Sequence, residues 1–380
     1  MSSLLITNDY PPVPSGISTF FYNIWKHLPP VETMVLAPGV EKGRHSNTKV
    51  KIKVVRYPCI LSGNFGIKLI NFLMLVIFTL FLIFSKGIKK VHCGQILIPG
   101  IIGLILKKLF KIPYYLWCYG GETSSVYRGK RTMRYWVDRI IKNAERIMVV
   151  SEYIAEEFKT FGISNNKIVK VLPAIDHNIF KPMQKSARLV KRFGLENKLV
   201  LLTVSRLSER KGHAVVLKAL KEVKEIIPNI IYLIVGTGPF ENNLKKMTRD
   251  LNLESETVFS GYVEEEDMAD MYNLCDLYVM PNREVVQSTD SIEGFGIVFL
   301  EASSCGKPVI AGKSGGTSEA LLDGITGFLI DPDDAVVLAE KITQLLKNAS
   351  MRKEMGEKGR VWVRDKFSWE ISASQVMPFV

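Results

Sequence analysis

Short apolar runs alternate with longer helical patterns along this chain; the alternation stops once, between residues 178 and 198, and then begins again. In the first stretch Ser3–Thr7, Glu32–Ala37, Val50–Tyr57, Lys90–Cys93, Tyr114–Trp117 and Arg146–Val150 predict strands. Between them Ser18–Leu28, residues 66–84, Ile98–Phe110 and Thr132–Asn143 predict helices, and Ser151 is placed to cap another. After Phe180-Lys181-Pro182 and a basic, polar stretch, Leu199–Val204, Ile230–Val235, Val258–Ser260, Leu277–Met280 and Pro308–Ala311 read as strands. Helical patterns lie between and after them, ending with Ala335–Asn348 and Met351–Lys366. Strands separated by helices demand crossover connections, and so a parallel sheet covered on both faces. Two such halves predict an α/β chain of two doubly wound domains facing each other across a cleft. Ligands then sit at the carboxyl ends of the strands. The expected boundaries are 1–180, a linker over 181–198, a second domain over 199–365, and a final helix over 366–380 that returns to the first domain.

Charge separates the halves. Residues 1–185 hold 26 Lys/Arg against 10 Asp/Glu, a net of +16, and the remainder holds 24 against 28, a net of −4. The first half should therefore face something anionic: a membrane surface, a nucleic acid or a phosphorylated substrate. No nucleic-acid-binding module is recognisable, so nucleic acid is not an expected partner. Leu69–Phe84 is apolar but for Asn71 and Thr79, and lysines follow it. Its sixteen residues make about 24 Å of helix, short of a full span at 1.5 Å per residue. Core helix, interfacial helix and membrane span all stay open. The start of the chain lacks the basic region of a secretory signal, which suggests a cytoplasmic protein held peripherally at the membrane's cytoplasmic face. Cysteines at 59, 93, 118, 275 and 305 form no C-x-x-C pair. They argue against a disulfide scaffold or a cysteine-rich zinc site. The five histidines show no metal-binding spacing, and in Asp331-Pro332-Asp333-Asp334 an N-cap is the simpler reading than a metal ligand set.

Four stretches carry chemistry. Pro11-Pro12-Val13-Pro14-Ser15-Gly16 joins the first strand to the first helix, where backbone amides can approach an anion. Val204-Ser205-Arg206-Leu207-Ser208-Glu209-Arg210-Lys211-Gly212 opens the second domain; Arg206 and Lys211, five apart across a loop, can converge as a pyrophosphate clamp. Gly236-Thr237-Gly238 is a tight turn that lets neighbouring loops approach a ligand. Glu293-Gly294-Phe295-Gly296-Ile297-Val298-Phe299-Leu300-Glu301 sets two carboxylates eight apart around a Gly-Phe-Gly turn. There Glu301 can take a ribose diol and Glu293 a sugar hydroxyl, with helix amides free at Gly296.

Arg206…Lys211-Gly212, the Glu293…Glu301 pair, Cys305-Gly306-Lys307-Pro308-Val309 and Asp323-Gly324-Ile325-Thr326-Gly327-Phe328 together resemble family 4 retaining glycosyltransferases of the GT-B fold, two Rossmann-like domains. The wording of Phe295–Leu300 and Ser314–Gly316 looks most like GDP-mannose-dependent phosphatidyl-myo-inositol mannosyltransferases. The resemblance implies transfer of a hexose, mannose favoured, from a nucleotide sugar to a lipid-linked or glycan acceptor, without metal or cofactor. It implies Arg206 and Lys211 on the donor diphosphate with Gly16 offering its amide, Val263 meeting the base through its backbone, Glu301 on the ribose and Glu293 on the transferred sugar. Gly236, Gly294, Phe295, Gly296 and Ile297 would complete the donor site. Tyr119, Gly120 and Glu122 fall on the acceptor side, with Tyr119 where the family often has histidine. The rivals are a UDP-sugar enzyme with a soluble acceptor and a nucleotide-sugar-binding protein without transfer activity.

Overall fold

Strands that are apolar on both faces can only be buried between two layers of helices. In the computed structural model, which describes residues 3–13, 15–39, 52–60, 65–120, 131–285 and 292–380, the chain forms two compact units, 1–173 with 369–380 and 174–368.

The first unit holds β1 (Ser3–Ile6), α1 (Gly16–His27), β2 (Thr33–Pro38), β3 (Lys53–Tyr57), α2 (Phe65–Lys86), β4 (Lys90–Cys93), α3 (Ile98–Phe110), β5 (Tyr114–Cys118), α4 (Arg131–Asn143), β6 (Arg146–Val149), α5 (Glu152–Thr160) and β7 (Ile168–Lys170). The sheet is parallel with order β3-β2-β1-β4-β5-β6-β7. Ser15 caps α1 by accepting from Ser18 N at 3.0 Å, so the helix starts at Gly16, two residues before the expected point. The buried face of α1 carries Phe20, Phe21 and Trp25 into a cluster with Trp117 and His92. Trp117 Nε1 donates to His92 Nδ1 at 3.2 Å, which leaves Nε2–H to donate to Phe379 O at 3.3 Å. Burial holds the pKa of that imidazole near 3, so it is a neutral packing residue.

The second unit holds α6 (Ala187–Phe193), β8 (Leu199–Val204), α7 (His213–Ile226), β9 (Ile230–Val235), α8 (Glu241–Asp250), β10 (Thr257–Gly261), α9 (Glu265–Leu274), β11 (Leu277–Met280), α10 (Ile297–Ser304), β12 (Val309–Gly312), β13 (Gly327–Ile330), α11 (Ala335–Lys347) and α12 (Ala349–Lys366). Its parallel order is β10-β9-β8-β11-β12-β13. Leu201, Tyr232, Ile234, Val279 and Ile310 on the strands pack with Val216, Leu220, Leu338 and Ile342 on the helices. Asp334 caps α11 through Val337 N at 2.9 Å, and Asp333 pairs with Arg283 at 2.6 Å. α13 (Trp369–Val376) belongs to the first unit, where Ser372 Oγ donates to Leu172 O at 2.5 Å and Trp369 stacks near Phe20.

The linker expected over 181–198 is corrected by these contacts. The break between units falls at 173/174, and 181–198 contains α6, which buries Leu189 in the second unit. Ser304 Oγ donates to Phe180 O at 2.6 Å, Asn273 Nδ2 to Lys181 O at 3.0 Å and Met183 N to Asn273 Oδ1 at 2.8 Å. Those bonds fix a stretch whose polar composition looks like free chain. The apolar helix also departs from expectation, because α2 runs 22 residues, about 33 Å. By length and composition it could cross a membrane. Only Leu75, Thr79, Leu82 and Ile83, one stripe at helical spacing, are buried; Phe65, Leu69, Ile77, Phe81 and Phe84 are exposed.

Candidate active site

The strand order of the second unit reverses between β8 and β11, and the loops that leave those two strands meet at their carboxyl ends. After β8 the chain forms a 3-10 turn over Glu209–Lys211 and passes into α7 through Gly212 at φ +77°. A Cβ on Gly212 would lie 2.1 Å from Pro281 O, so only glycine lets the two loops touch. Arg283 completes the join. Its backbone N donates to Arg210 O at 2.8 Å, and its guanidinium reaches Glu209 at 2.8 Å as well as Asp333.

This join sets three charges together. Lys211 Nζ lies 2.5 Å and Arg210 Nη1 2.8 Å from the same oxygen, Glu293 Oε2, with the three side chains 10 %, 10 % and 14 % exposed. Burial alone would push the Glu293 carboxyl up; Lys211 and Arg210 outweigh it and hold the pKa down at about 2. Two cations against one carboxylate leave an excess positive charge, which suits an arriving anion. Arg206, on the same loop, is exposed and has no ion pair among the described residues. Lys211 is gathered with Glu293 and with Arg210, whose place inside a charged run gives no sign of this role in the sequence.

Glu301 lies in the first turns of α10, half-buried, and accepts from Tyr272 OH at 2.5 Å. Burial raises its pKa to about 7; the Tyr272 hydrogen bond works against that shift and Glu265 adds to it. The turn before α10 is built on Gly296 at φ +96°, where a Cβ would strike the Phe299 ring at 2.4 Å. Gly296 supplies no capping side chain, which leaves the first amides of α10 without a side-chain acceptor. Gly294 and Ile297 flank this turn, half-buried. Phe295 is buried, its ring 5.6 Å from that of Phe367, so its side chain belongs to the core and only its backbone faces the turn. The Ser314–Gly316 turn closes on the same place: Gly316 N donates to Glu293 O at 3.0 Å, and a Cβ on Gly315 would sit 2.2 Å from that oxygen.

Gly236 and Gly238 act one layer back. Cβ atoms there would fall 2.0 Å from Ser205 O and 2.3 Å from Leu207 O, so this turn is the seat on which the Arg206 loop rests. Below it Thr203 donates to Val279 O, so the Tyr232 hydroxyl donates to Thr203 at 2.8 Å and accepts from His213 Nδ1 at 2.8 Å. His213 Nε2 then accepts from Ser205 Oγ at 2.9 Å. Burial, helped by Lys211, keeps His213 neutral with a pKa near 3. Val263 follows Gly261 (φ +72°) and lines a cavity of about 100 Å³ with Arg192, Phe193, Tyr262 and Met271.

The remaining expected residues lie in the first unit. Gly16 opens α1, and a Cβ there would meet nothing within 4 Å. Close to it Asp9 accepts from Gln95 Nε2 at 2.9 Å and from Ser15 Oγ at 3.4 Å, at the point where β1 and β4 reverse the strand order. The Tyr119 ring packs edge-on against Phe20 and Phe21, and Gly120 follows at φ +108°. Glu122 lies outside the described residues.

Residues 14–179 match the Glycosyltransferase Family 4 domain and residues 187–362 the Glycosyl transferases group 1 domain. The chain is 29 % identical, over 98 % of its length and 96 % of the relative's, to a GDP-mannose-dependent alpha-(1-6)-phosphatidylinositol monomannoside mannosyltransferase of Mycolicibacterium smegmatis. It is 28 % identical, over 98 % and 96 %, to the GDP-mannose-dependent monoacylated alpha-(1-6)-phosphatidylinositol monomannoside mannosyltransferase of Corynebacterium glutamicum. Among solved structures, HepE of Anabaena with UDP and glucose superposes with a TM-score of 0.81 at 21 % identity, over 100 % of this chain and 98 % of that one. Sucrose-phosphate synthase of Thermosynechococcus elongatus gives 0.82 at 20 %, over 99 % and 97 %. These likenesses cover both units and the segments that carry Lys211, Glu293 and Glu301: the chain is a glycosyltransferase, a member of family 4 with the GT-B fold.

Proposed function

We propose that this enzyme moves mannose from GDP-mannose to a lipid-linked or glycan acceptor at a membrane surface, with retention of anomeric configuration and without a metal. The observation that carries the reading is the buried Lys211–Glu293–Arg210 group at the switch point. The activities of the mycobacterial and corynebacterial relatives support the donor and the acceptor class. The bond from the sugar's C1 to the diphosphate breaks, a bond from C1 to an acceptor oxygen forms, and the acceptor proton passes to the departing phosphate. Lys211 and Arg206 neutralise the charge that grows on the nucleotide, where preorganised cations act most strongly. Glu293 receives a hydroxyl of the sugar, and Glu301 the ribose.

The membrane part of the reading rests on the first unit. α2 exposes its apolar residues, and at its end Phe84 meets Phe110 of α3 edge-on at 5.4 Å. Lys89, Lys108 and Lys111 are exposed around that junction. α4, packed on α3, exposes Met133, Tyr135 and Trp136, with Arg139 over the Tyr135 ring at 5.3 Å. Apolar and aromatic side chains rimmed by cations suit an anionic lipid interface. The buried stripe of α2 favours a helix lying on that interface over one crossing it.

A donor screen tests the assignment. Purified protein is given GDP-mannose, UDP-glucose and ADP-glucose, with and without EDTA, and released nucleotide is measured. GDP release from GDP-mannose, unchanged by EDTA, is expected. Release from the UDP-sugar alone, or activity that EDTA abolishes and Mg²⁺ restores, would replace the reading.

A further inference from the structure

Lys211 is asked to serve the diphosphate, yet it is already committed to Glu293. We propose that Arg210 is the positioning residue for Glu293, holding its carboxylate in place when Lys211 turns to the donor. This inference rests on the roles given above to Lys211 and Glu293. The two cations share one oxygen but differ in kind. Lysine carries a point charge on a four-carbon stem that can swing, whereas the guanidinium is planar and rigid. Both ends of the Arg210–Glu293 pair are also tied through the backbone. Arg210 O accepts from Arg283 N at 2.8 Å, and Glu293 O accepts from Gly316 N at 3.0 Å. A carboxylate 14 % exposed that lost its only cation would be strongly destabilised. With Arg210 in place Glu293 loses one of two, stays ionised and keeps its direction.

The charged groups acting on Glu293 among the described residues are Lys211 and Arg210; the buried Tyr278 phenol beside it is held protonated, chiefly by burial. Removing Arg210 should therefore raise the pH at which Glu293 protonates in the donor complex. In the structure Arg210 bonds to Glu293, so its loss should leave nucleotide affinity alone.

The test compares Arg210→Gln, Arg210→Lys and Glu293→Gln by mannose transfer from saturating GDP-mannose between pH 3 and 9, where the Glu293 limb lies well below the Glu301 ionisation near 7, and by calorimetry with GDP at pH 8. For Arg210→Gln we expect kcat to fall on the order of tenfold and the acid limb of the profile to rise by about one pH unit or more, with GDP affinity within about twofold. Arg210→Lys should bring the limb most of the way back. An unmoved acid limb, or a loss of GDP affinity parallel to the loss of rate, would overturn the inference and make Arg210 a spectator or a diphosphate ligand. If Glu293→Gln transfers at the wild-type rate, the reading of Glu293 fails instead, whatever Arg210 does. Should Arg210→Gln not fold, the double variant with Glu293→Gln removes the stranded charge. Recovery of its Tm toward wild type supports the pairing, and a Tm as low as the single variant's contradicts it.

Discussion

The proposed mechanism gives Lys211 and Arg206 one task in different surroundings: Lys211 is 10 % exposed and ion-paired, while Arg206 stands in solvent. Replacing either by alanine should lower kcat on the order of 10²–10³, the usual effect of removing a preorganised charge from a developing anion. Lys211→Ala leaves Glu293 its Arg210 partner, so the variant should stay folded. Near-normal turnover in both variants would dissolve the clamp. Glu301 gives a prediction with a sign. Its pKa is raised to about 7, above the ordinary carboxyl value, so its protonated form is favoured in the folded protein, and the stability it contributes at low pH is lost as pH rises through 7. Ribose hydroxyls need the ionised form as acceptor, so GDP affinity should rise from pH 6 to 8. One unit below the pKa roughly a tenth of the sites are ionised, which sets a change of about tenfold. Glu301→Gln should bind weakly and with a flat profile; an equally steep profile in that variant would place the ribose elsewhere. Lys211, Glu293 and Glu301 stood out in the sequence through spacing and family wording. Arg210 did not, because in Glu-Arg-Lys-Gly every charge looks solvated until the fold buries two of them, Arg210 and Lys211. The Tyr272 bond to Glu301 was equally hidden, since it joins helices 29 positions apart.

The turns that carry these side chains depend on glycines with no room for a methyl group. Gly236 is at φ +126° with Ser205 O behind it, and Gly212 at φ +77° with Pro281 O behind it. Alanine at either position meets both a strained backbone and a clash with main-chain atoms. Each should therefore destabilise the protein by at least about 2 kcal/mol and lower Tm by several degrees. Gly16→Ala is the control, because its Cβ would enter open space. Equal melting temperatures for Gly236→Ala, Gly212→Ala and wild type would show that these loops are not packed as described. Central strands such as β8 and β9 could be read from apolar runs of six residues broken only by Thr203. β7 and β13 escaped because three- and four-residue edge strands leave no period to detect. α6 escaped because only Leu189 of its seven residues is buried, so its surface hides the packing that holds it.

The two units divide the charge as they divide the fold, with the basic surplus and the exposed apolar helices both in the first. The sequence showed that surplus and the apolar run, but only the structure shows which face of α2 is covered. It also shows that Lys107 is bound to Asn143 O at 2.9 Å and Glu145 at 3.2 Å, which leaves Lys89, Lys108 and Lys111 as the residues to change. Vesicles with anionic lipid should sediment the protein, neutral vesicles less so, and raised salt should release it. The triple change of Lys89, Lys108 and Lys111 to Ser should weaken sedimentation without lowering Tm. Equal binding to neutral and anionic vesicles would make the contact purely hydrophobic.

All of this meets in one reaction. GDP-mannose labelled in the sugar is incubated with the protein and vesicles containing a phosphatidylinositol mannoside, and label is counted in the extracted lipid and its anomeric configuration determined. α-Linked mannose is expected in the lipid, undiminished by EDTA and reduced at least about 100-fold by Lys211→Ala. Label that never leaves GDP-mannose, or transfer that Lys211→Ala does not diminish, would contradict the proposed function.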